Sequence, residues 1–199
     1  MKTRLFMMLM AVVAMMTTMS MNAQNAHDLN ARLRVGGDLC TLTGNKDFKQ
    51  KLGWSIGAGF DYGITDQWAV SLDLSHDYIG AKSKSLDKKL NLEYISFGPM
   101  AKYYATPWLA LQAGPEIGFL VKAKMDGTNY KDACKKTEFS LPIGVSFEPN
   151  LGSRDHSLIV DLRYRLGLSK VNKKDASFDD MRNSALILAV GYKFSLLGE

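Results

Sequence analysis

The stretch LGWSIGAGFDYGI, residues 52–64, alternates strictly between two kinds of side chain. Every second residue from Leu52 to Ile64 is apolar, and the set includes the aromatic residues Trp54, Phe60 and Tyr62. The residues between them are glycine, serine or aspartate. A period of two places each set on its own face of a β-strand, so this stretch predicts a strand with one bulky apolar face and one small polar face.

The same period recurs in seven further segments of the chain. They lie near residues 33–39, 68–75, 95–103, 109–121, 138–147, 158–166 and 186–194. A tilted strand crosses a bilayer with roughly 9–11 residues, and the smallest outer-membrane barrels have eight such strands. The sequence therefore predicts an all-β fold: an eight-stranded antiparallel up-and-down transmembrane β-barrel.

The sizes of the two faces decide which side of the barrel meets water. The apolar faces carry large rings, including Trp54, Phe60, Trp68 and Tyr164, which would be difficult to pack inside a small barrel. The polar faces are rich in glycine and serine, which suits a narrow interior. Trp and Tyr near strand ends are typical of membrane interfaces. We therefore expect the apolar side to face lipid.

The connections between segments alternate in length. Short or moderate connections fall at 65–67, 106–107 and 149–156, and longer ones near 43–51, 80–90, 122–137 and 169–184. This alternation predicts long outer loops and short periplasmic turns, with both termini in the periplasm.

The N-terminal residues have the layout of a secretory signal peptide. Lys2 and Arg4 precede an apolar run from residue 5 to 16, which is too short for a membrane-spanning helix, and small and polar residues follow. We predict a signal peptide over 1–23, with cleavage after Ala26 as the alternative, and a barrel domain over 24–199. No later segment has 18 consecutive apolar residues. The predicted mature chain has 23 basic and 20 acidic side chains, a balance too mild to indicate nucleic acid as a partner.

Charged residues on the polar faces predict an interior charge network. Its expected members are Arg32, Arg34, Asp61, Asp73, Lys102, Glu116, Asp161, Arg163 and Arg165. An eight-stranded barrel is only wide enough for side chains to fill. The network is therefore interpreted as a salt-bridged plug, with an ion path as the alternative.

The long loops predict a basic outer rim. Taken together, they contain sixteen basic and seven acidic residues. The rim residues singled out are Lys82, Lys84, Lys88, Lys89, Lys131, Lys135, Lys136, Lys173 and Lys174. Such a rim would attract anionic lipopolysaccharide or other anionic surface polymers, although a solvated lysine-rich surface is the simpler interpretation.

Two further features have alternative interpretations. Cys40 and Cys134 are predicted either to be joined by a disulfide across the barrel mouth or to be two unpaired buried thiols. Ser75, His76 and Asp77 suggest catalysis, but adjacent strand residues point to opposite faces, so His76 cannot easily meet both neighbours. The sequence predicts no catalytic, metal or cofactor site.

Several of these features resemble one protein family. The export signal, the eight segments and the phrases at residues 111–115 (LQAGP) and 141–145 (LPIGV) resemble the small outer-membrane β-barrel (porin-like) family of Gram-negative bacteria. The resemblance covers the whole mature chain and implies recognition by the barrel-assembly machinery through a terminal aromatic residue. In this chain five residues follow Phe194, and we expect Tyr192 and Phe194 to supply that signal.

The functional prediction is a non-enzymatic integral outer-membrane protein with a structural or surface-interaction role. Its expected partners are outer-membrane lipid and lipopolysaccharide, with no cofactor. The alternatives are a narrow pore for small solutes and, less favoured, a lipid-modifying enzyme. The oligomeric state is left open.

Overall fold

The computed structural model describes residues 26–43, 48–83, 89–129, 131–152, 155–171 and 182–197. The predicted signal peptide, residues 1–23, lies outside the described residues, so its boundary stays a prediction. Among the described residues, no helix is long and apolar enough to cross a membrane.

The described residues form eleven β-segments and a single-turn 3-10 helix at Lys131–Ala133. The segments are β1 (Leu29–Thr43), β2 (Phe48–Lys49), β3 (Lys51–Gly63), β4 (Trp68–Ser83), β5 (Lys89–Thr106), β6 (Leu109–Ala113), β7 (Glu116–Met125), β8 (Thr128–Asn129), β9 (Thr137–Phe147), β10 (His156–Gly167) and β11 (Arg182–Leu197).

The sheet closes on itself. Each wall strand pairs antiparallel with the next along the chain, and β1 pairs with β11 from Leu29 opposite Leu197 to Thr43 opposite Arg182. Segments β6 and β7 share one position in the wall, since both pair with β5 on one side and β9 on the other. With the two-residue segments β2 and β8 set aside, eight strands form the ring, which confirms the predicted up-and-down barrel.

The wall is interrupted where one continuous strand was predicted over 109–121. The chain leaves the strand at Gly114 and Pro115, between β6 and β7. Residues 101–106 of β5 pair with β6 and residues 90–97 pair with β7, so the break lies opposite Pro99. Neither proline has an N–H to donate to the ladder, which explains the interruption.

The hairpin between β4 and β5 is longer than predicted. The loop predicted near 80–90 is wrong at both ends, because β4 continues to Ser83 and β5 begins at Lys89, and residues 84–88 between them lie outside the described residues. Ile79 and Ala81 are buried inside the barrel opposite Leu92 and Leu90, and this apolar contact extends both strands beyond the polar part of the interior. The last strand is also longer than predicted and ends at Leu197.

The burial pattern is the reverse of that in a water-soluble protein. Polar side chains such as Asp61 and Lys102 are fully buried, whereas Leu52 and Leu188 are 74% and 57% exposed. Aromatic pairs mark both ends of the wall, with Trp68 against Tyr103 near the turns and Trp54 against Tyr78 near the loops. The apolar outer face is therefore bounded as a bilayer-spanning surface would be.

The assignment of the apolar face to the lipid side can be tested by introducing one charged side chain into it. Leu188→Arg places a guanidinium in the middle of the apolar wall, so we expect it to destabilise the barrel in lipid vesicles by about 2–4 kcal/mol. The matched change Leu52→Arg, at the outer end of β3, is expected to cost only about 0–1 kcal/mol. Urea unfolding in vesicles measures both, and equal effects would contradict the depth assigned to Leu188.

Candidate functional site

The barrel interior is a packed array of charged and hydroxyl side chains. The structure places all nine of the predicted network residues there, each at most 8% exposed: Arg32, Arg34, Asp61, Asp73, Lys102, Glu116, Asp161, Arg163 and Arg165. Five more charged residues are buried with them: Asp38, Asp77, Glu138, Glu148 and Lys193.

Glu148 is the acceptor at the periplasmic end of the interior. It lies one residue after β9 and is 1% exposed. Lys102 Nζ lies 2.5 Å from Glu148 Oε1, and Lys193 Nζ lies 2.6 Å from Glu148 Oε2. The hydroxyl groups of Tyr104 and Ser146 donate to the same carboxylate, over 3.0 Å and 2.7 Å. One carboxylate thus satisfies two buried ammonium groups and two hydroxyl groups.

Asp73 is the corresponding acceptor for guanidinium groups in the middle of the barrel. Arg32 Nη2 lies 2.5 Å from Asp73 Oδ1, and Arg163 Nη1 lies 2.8 Å from Asp73 Oδ2. Arg32 also reaches Asp61 over 3.2 Å, and Arg163 reaches Asp161 over 2.7 Å. The Arg163–Asp73 pair therefore links β10 to β4 on the opposite side of the ring, while Arg32 links β1 to the nearer strands β3 and β4.

Small residues on the inward faces leave space for these arginines. A Cβ added at Gly59 would lie 2.7 Å from Asp73 Oδ1 and 3.1 Å from Arg32 Nε. One added at Gly144 would lie 2.9 Å from Arg163 Cγ. Gly59 and Gly144 thus make room for the plug, because a methyl group at either position would crowd the arginine beside it.

A third polar layer lies toward the outer end. Arg165 contacts Asp77 over 3.0 Å and Glu116 over 2.9 Å. Ser96 Oγ donates to Asp77 over 2.6 Å, and Asn183 donates to Glu138 over 2.6 Å. A cavity of about 10 Å³ adjoins this layer, which is room for about one water molecule.

Apolar side chains fill the interior above this layer. This apolar cap consists of Cys40, Ile79, Ala81, Leu90, Leu92, Tyr94, Leu120, Ala123, Cys134, Val171, Ala185, Ile187 and Ala189. Cys134 and Val171 lie in the outer connections, which fold into the mouth and join through the Lys135 N–H to the Val171 carbonyl over 2.7 Å. In the part of the chain that the structure describes, ion pairs and then hydrocarbon occupy the lumen.

The two cysteines are brought together in the apolar interior near the barrel mouth. Cys40 and Cys134 are each 3% exposed, and both belong to the apolar cap. Their burial agrees with the second of the two sequence-based alternatives, a pair of buried thiols, and the choice between that pair and a disulfide stays a prediction.

The sequence Ser75-His76-Asp77 is divided between the two faces of β4. Ser75 and Asp77 are buried inside, where Ser75 Oγ donates to Asp77 over 3.1 Å. His76 lies on the outer wall beside Trp54, with Nε2 at 3.9 Å from Glu93. The three side chains therefore do not assemble into a hydrogen-bonded triad.

The predicted basic rim is described in part. Lys82, Lys89, Lys131, Lys135 and Lys136 lie at the outer end of the barrel. Lys84, Lys88, Lys173 and Lys174 lie outside the described residues, as does Lys46. The register shows what the sequence did not: Lys82 is directly opposite Lys49 on β2 and Lys89 on β5.

Sequence reasoning left five buried ions out of the network for identifiable reasons. Asp38, Glu138 and Lys193 stand at polar positions of the alternating segments, so the period alone could have added them. Asp77 was considered only beside His76. Glu148 follows the end of its strand, where the period gives no signal.

A family model described as "outer membrane protein beta-barrel domain" matches residues 10–194. The chain belongs to this family. It is an integral protein of the bacterial outer membrane. The comparison with curated proteins found no match.

Two solved structures similar to this chain are outer-membrane barrel proteins. Neisserial surface protein A is 14% identical, with a TM-score of 0.55 over 83% of this chain and 97% of that one. The outer membrane protein OprG from Pseudomonas aeruginosa is 11% identical, with a TM-score of 0.55 over 90% of this chain and all of that one. At these identities the likeness supports the fold alone.

Glu148→Gln tests the shared carboxylate. The change leaves two buried ammonium groups with one fewer negative charge, so we expect a loss of about 3–5 kcal/mol in the free energy of unfolding. Ser146→Ala, which removes only one hydrogen bond to Glu148, is expected to cost about 1 kcal/mol. Urea titration in vesicles separates the two, and similar small losses would show that Glu148 is not the acceptor on which this layer depends.

The state of the cysteines is testable without mutation. Because both thiols are buried in the apolar cap, we expect the folded barrel to react slowly with a water-soluble maleimide. The urea-unfolded chain should react at both cysteines without added reductant. Mass spectrometry counts the adducts, and an unfolded chain that reacts only after reduction would indicate a disulfide.

Proposed function

We propose that this protein is a closed outer-membrane barrel that binds anionic groups of lipopolysaccharide through lysines on the outer part of its wall. The lysines are Lys49, Lys51, Lys82, Lys89, Lys122 and Lys124, and this set is called the lysine patch. They lie on adjacent strands β2, β3, β4, β5 and β7.

The like-charged row Lys49–Lys82–Lys89 carries the proposal. These residues are directly opposite one another on three paired segments. Like charges in opposite positions destabilise a sheet, and a bound anion removes that cost. A row of this kind is therefore expected where an anion is bound.

Lys122 and Lys124 on β7 continue the lysine patch from this row toward the periplasmic side of the wall. Lys124 is opposite Asn91 and Lys122 is opposite Glu93. Lys122 pairs with Glu93 over 3.1 Å, while the Asp126 carboxylate accepts the backbone N–H of Lys89. In the sequence, basic residues outnumber acidic ones in the long connections at this end of the barrel, sixteen to seven, so this end attracts an anionic surface.

The level of the patch favours lipid headgroups over a free polymer above the mouth. Lys82 lies four residues beyond Tyr78 on β4 and so on the same outward face. Tyr78 stacks with Trp54 at a ring-centroid distance of 6.1 Å, and Lys51 Nζ lies 4.8 Å from the centre of the Tyr78 ring. Aromatic rings of this kind are typical of the membrane interface, which supports a position of these lysines at the height of the lipid headgroups.

The filled interior supports a binding role over a transport role. The described part of the lumen contains interlocked ion pairs below and the apolar cap above. An eight-stranded ring has no additional width for a water channel.

The lysine patch can be neutralised without touching the interior. We expect the variant Lys82→Gln, Lys89→Gln, Lys122→Gln and Lys124→Gln to bind lipopolysaccharide more than about tenfold more weakly, because a lysine near an anionic surface contributes about 1 kcal/mol. Titration of the folded protein in detergent at low salt measures this affinity.

The matched control keeps charge and changes shape. The same four positions substituted with arginine should bind as the wild type does, and high salt should weaken both. Equal affinity of the glutamine variant and the wild type would refute the proposal, as would an equal loss in the arginine variant.

A further inference from the structure

A groove of about 400 Å³ lies on the outer wall where β5, β6 and β9 meet. The register explains it, because Ala101 on β5 is directly opposite Ala113 on β6. In the next row Tyr103 is opposite Leu111, and Ala113 has Ile143 on its other side. Two methyl groups surrounded by larger side chains leave a depression in the wall.

The lining of the groove is apolar and one end is aromatic. Leu111, Ile143 and Val145 form its sides. Trp68 and Tyr103, with ring centroids 5.0 Å apart, close the end near the periplasmic turns. Trp68 is the first residue of β4, so the groove lies at the level of the periplasmic leaflet.

We infer that this groove holds one acyl chain of a phospholipid in the periplasmic leaflet. It opens on the membrane-facing surface, where Leu111 and Ile143 are 49% and 45% exposed. A water molecule there would find few polar partners, and an empty groove would forfeit the dispersion contacts of its lining. A flexible hydrocarbon chain can follow the depression to its floor, whereas the convex wall of a second barrel would touch only its edges.

The floor of the groove adjoins the interruption in the wall. Ala101 and Ala113 are the last opposite pair before the ladder between β5 and β6 stops at Pro99 and Gly114. The Gly114 N–H donates instead to the Pro142 carbonyl over a long 3.3 Å. An acyl chain in the groove would cover this least regular part of the wall. The groove lies near the periplasmic end of the barrel, whereas the lysine patch lies at the outer end.

Tryptophan quenching by lipids tests the assignment. The chain has three tryptophans, so Trp54→Phe with Trp108→Phe leaves Trp68 alone. The protein is reconstituted in phospholipid vesicles with increasing mole fractions of phospholipid brominated on its acyl chains. The comparison protein has all three tryptophans replaced by Phe together with Tyr192→Trp, an outward position near the periplasmic end of the far wall.

If the groove holds an acyl chain, brominated phospholipid quenches Trp68 more readily than it quenches the tryptophan at position 192 of the comparison protein. The mole fraction of brominated lipid that gives half-maximal quenching is then several-fold lower for Trp68. Ala113→Phe, added to the Trp68-only protein, fills the groove and should abolish that difference. Val190→Phe adds the same ring to the outer face of β11 and should leave it unchanged. Ala101→Leu serves where heat-modifiable gel migration shows that Ala113→Phe does not fold.

Equal half-maximal mole fractions for the two positions would overturn the inference. So would a preference at Trp68 that persists in every folded groove-filling variant. Dimerisation in detergent that Ala113→Phe abolishes, with no lipid preference at Trp68, would assign the groove to a second copy of this chain instead.

Discussion

The pairing of backbone N–H and C=O groups within a closed ring is the constraint on which this structure depends. Hydrocarbon offers no hydrogen-bond partners, so an open edge in the bilayer would leave a row of unpaired polar groups. The long register between β1 and β11 removes both edges. The wall then tolerates Pro99 and Pro115 only because neighbouring strands still hold this region, as the bond from Gly114 to Pro142 illustrates.

Closure with eight strands determines what the interior can contain. The ring is narrow, so side chains from opposite walls must meet, and charged groups there must neutralise one another. Asp73 and Glu148 do this in two successive layers, each accepting from at least two cations. Above them the interior changes from ionic to apolar at the level of Ile79 and Leu92.

The same closed wall separates two outward surfaces. At the outer end the lysine patch combines a like-charged row with aromatic rings below it, which suits phosphate groups at the membrane surface. At the periplasmic end the groove beside Trp68 is apolar and suits a hydrocarbon chain. Both features arise from cross-strand neighbours, Lys82 with Lys89 in one case and Ala101 with Ala113 in the other.

The sequence by itself determined the class of fold and, within the eight alternating segments, which side chains point inward. Strict alternation along residues 52–64 and seven other segments indicated eight strands with a polar lumen, because the strand period assigns a face without knowledge of the partner. It also selected nine of the charged residues that the structure buries. The period failed where strand and loop could not be distinguished, near residues 80–90 and at the break beside Pro115.

Only the tertiary structure decided which residues meet. Asp73 and Arg163 are ninety residues apart in the chain, and Glu148 lies beyond the end of a strand. The like-charged row, the groove and the apolar cap likewise depend on register and on loops folding into the mouth. Register and ring closure are long-range properties: they place residues from distant segments side by side, and no local pattern of side chains contains that information.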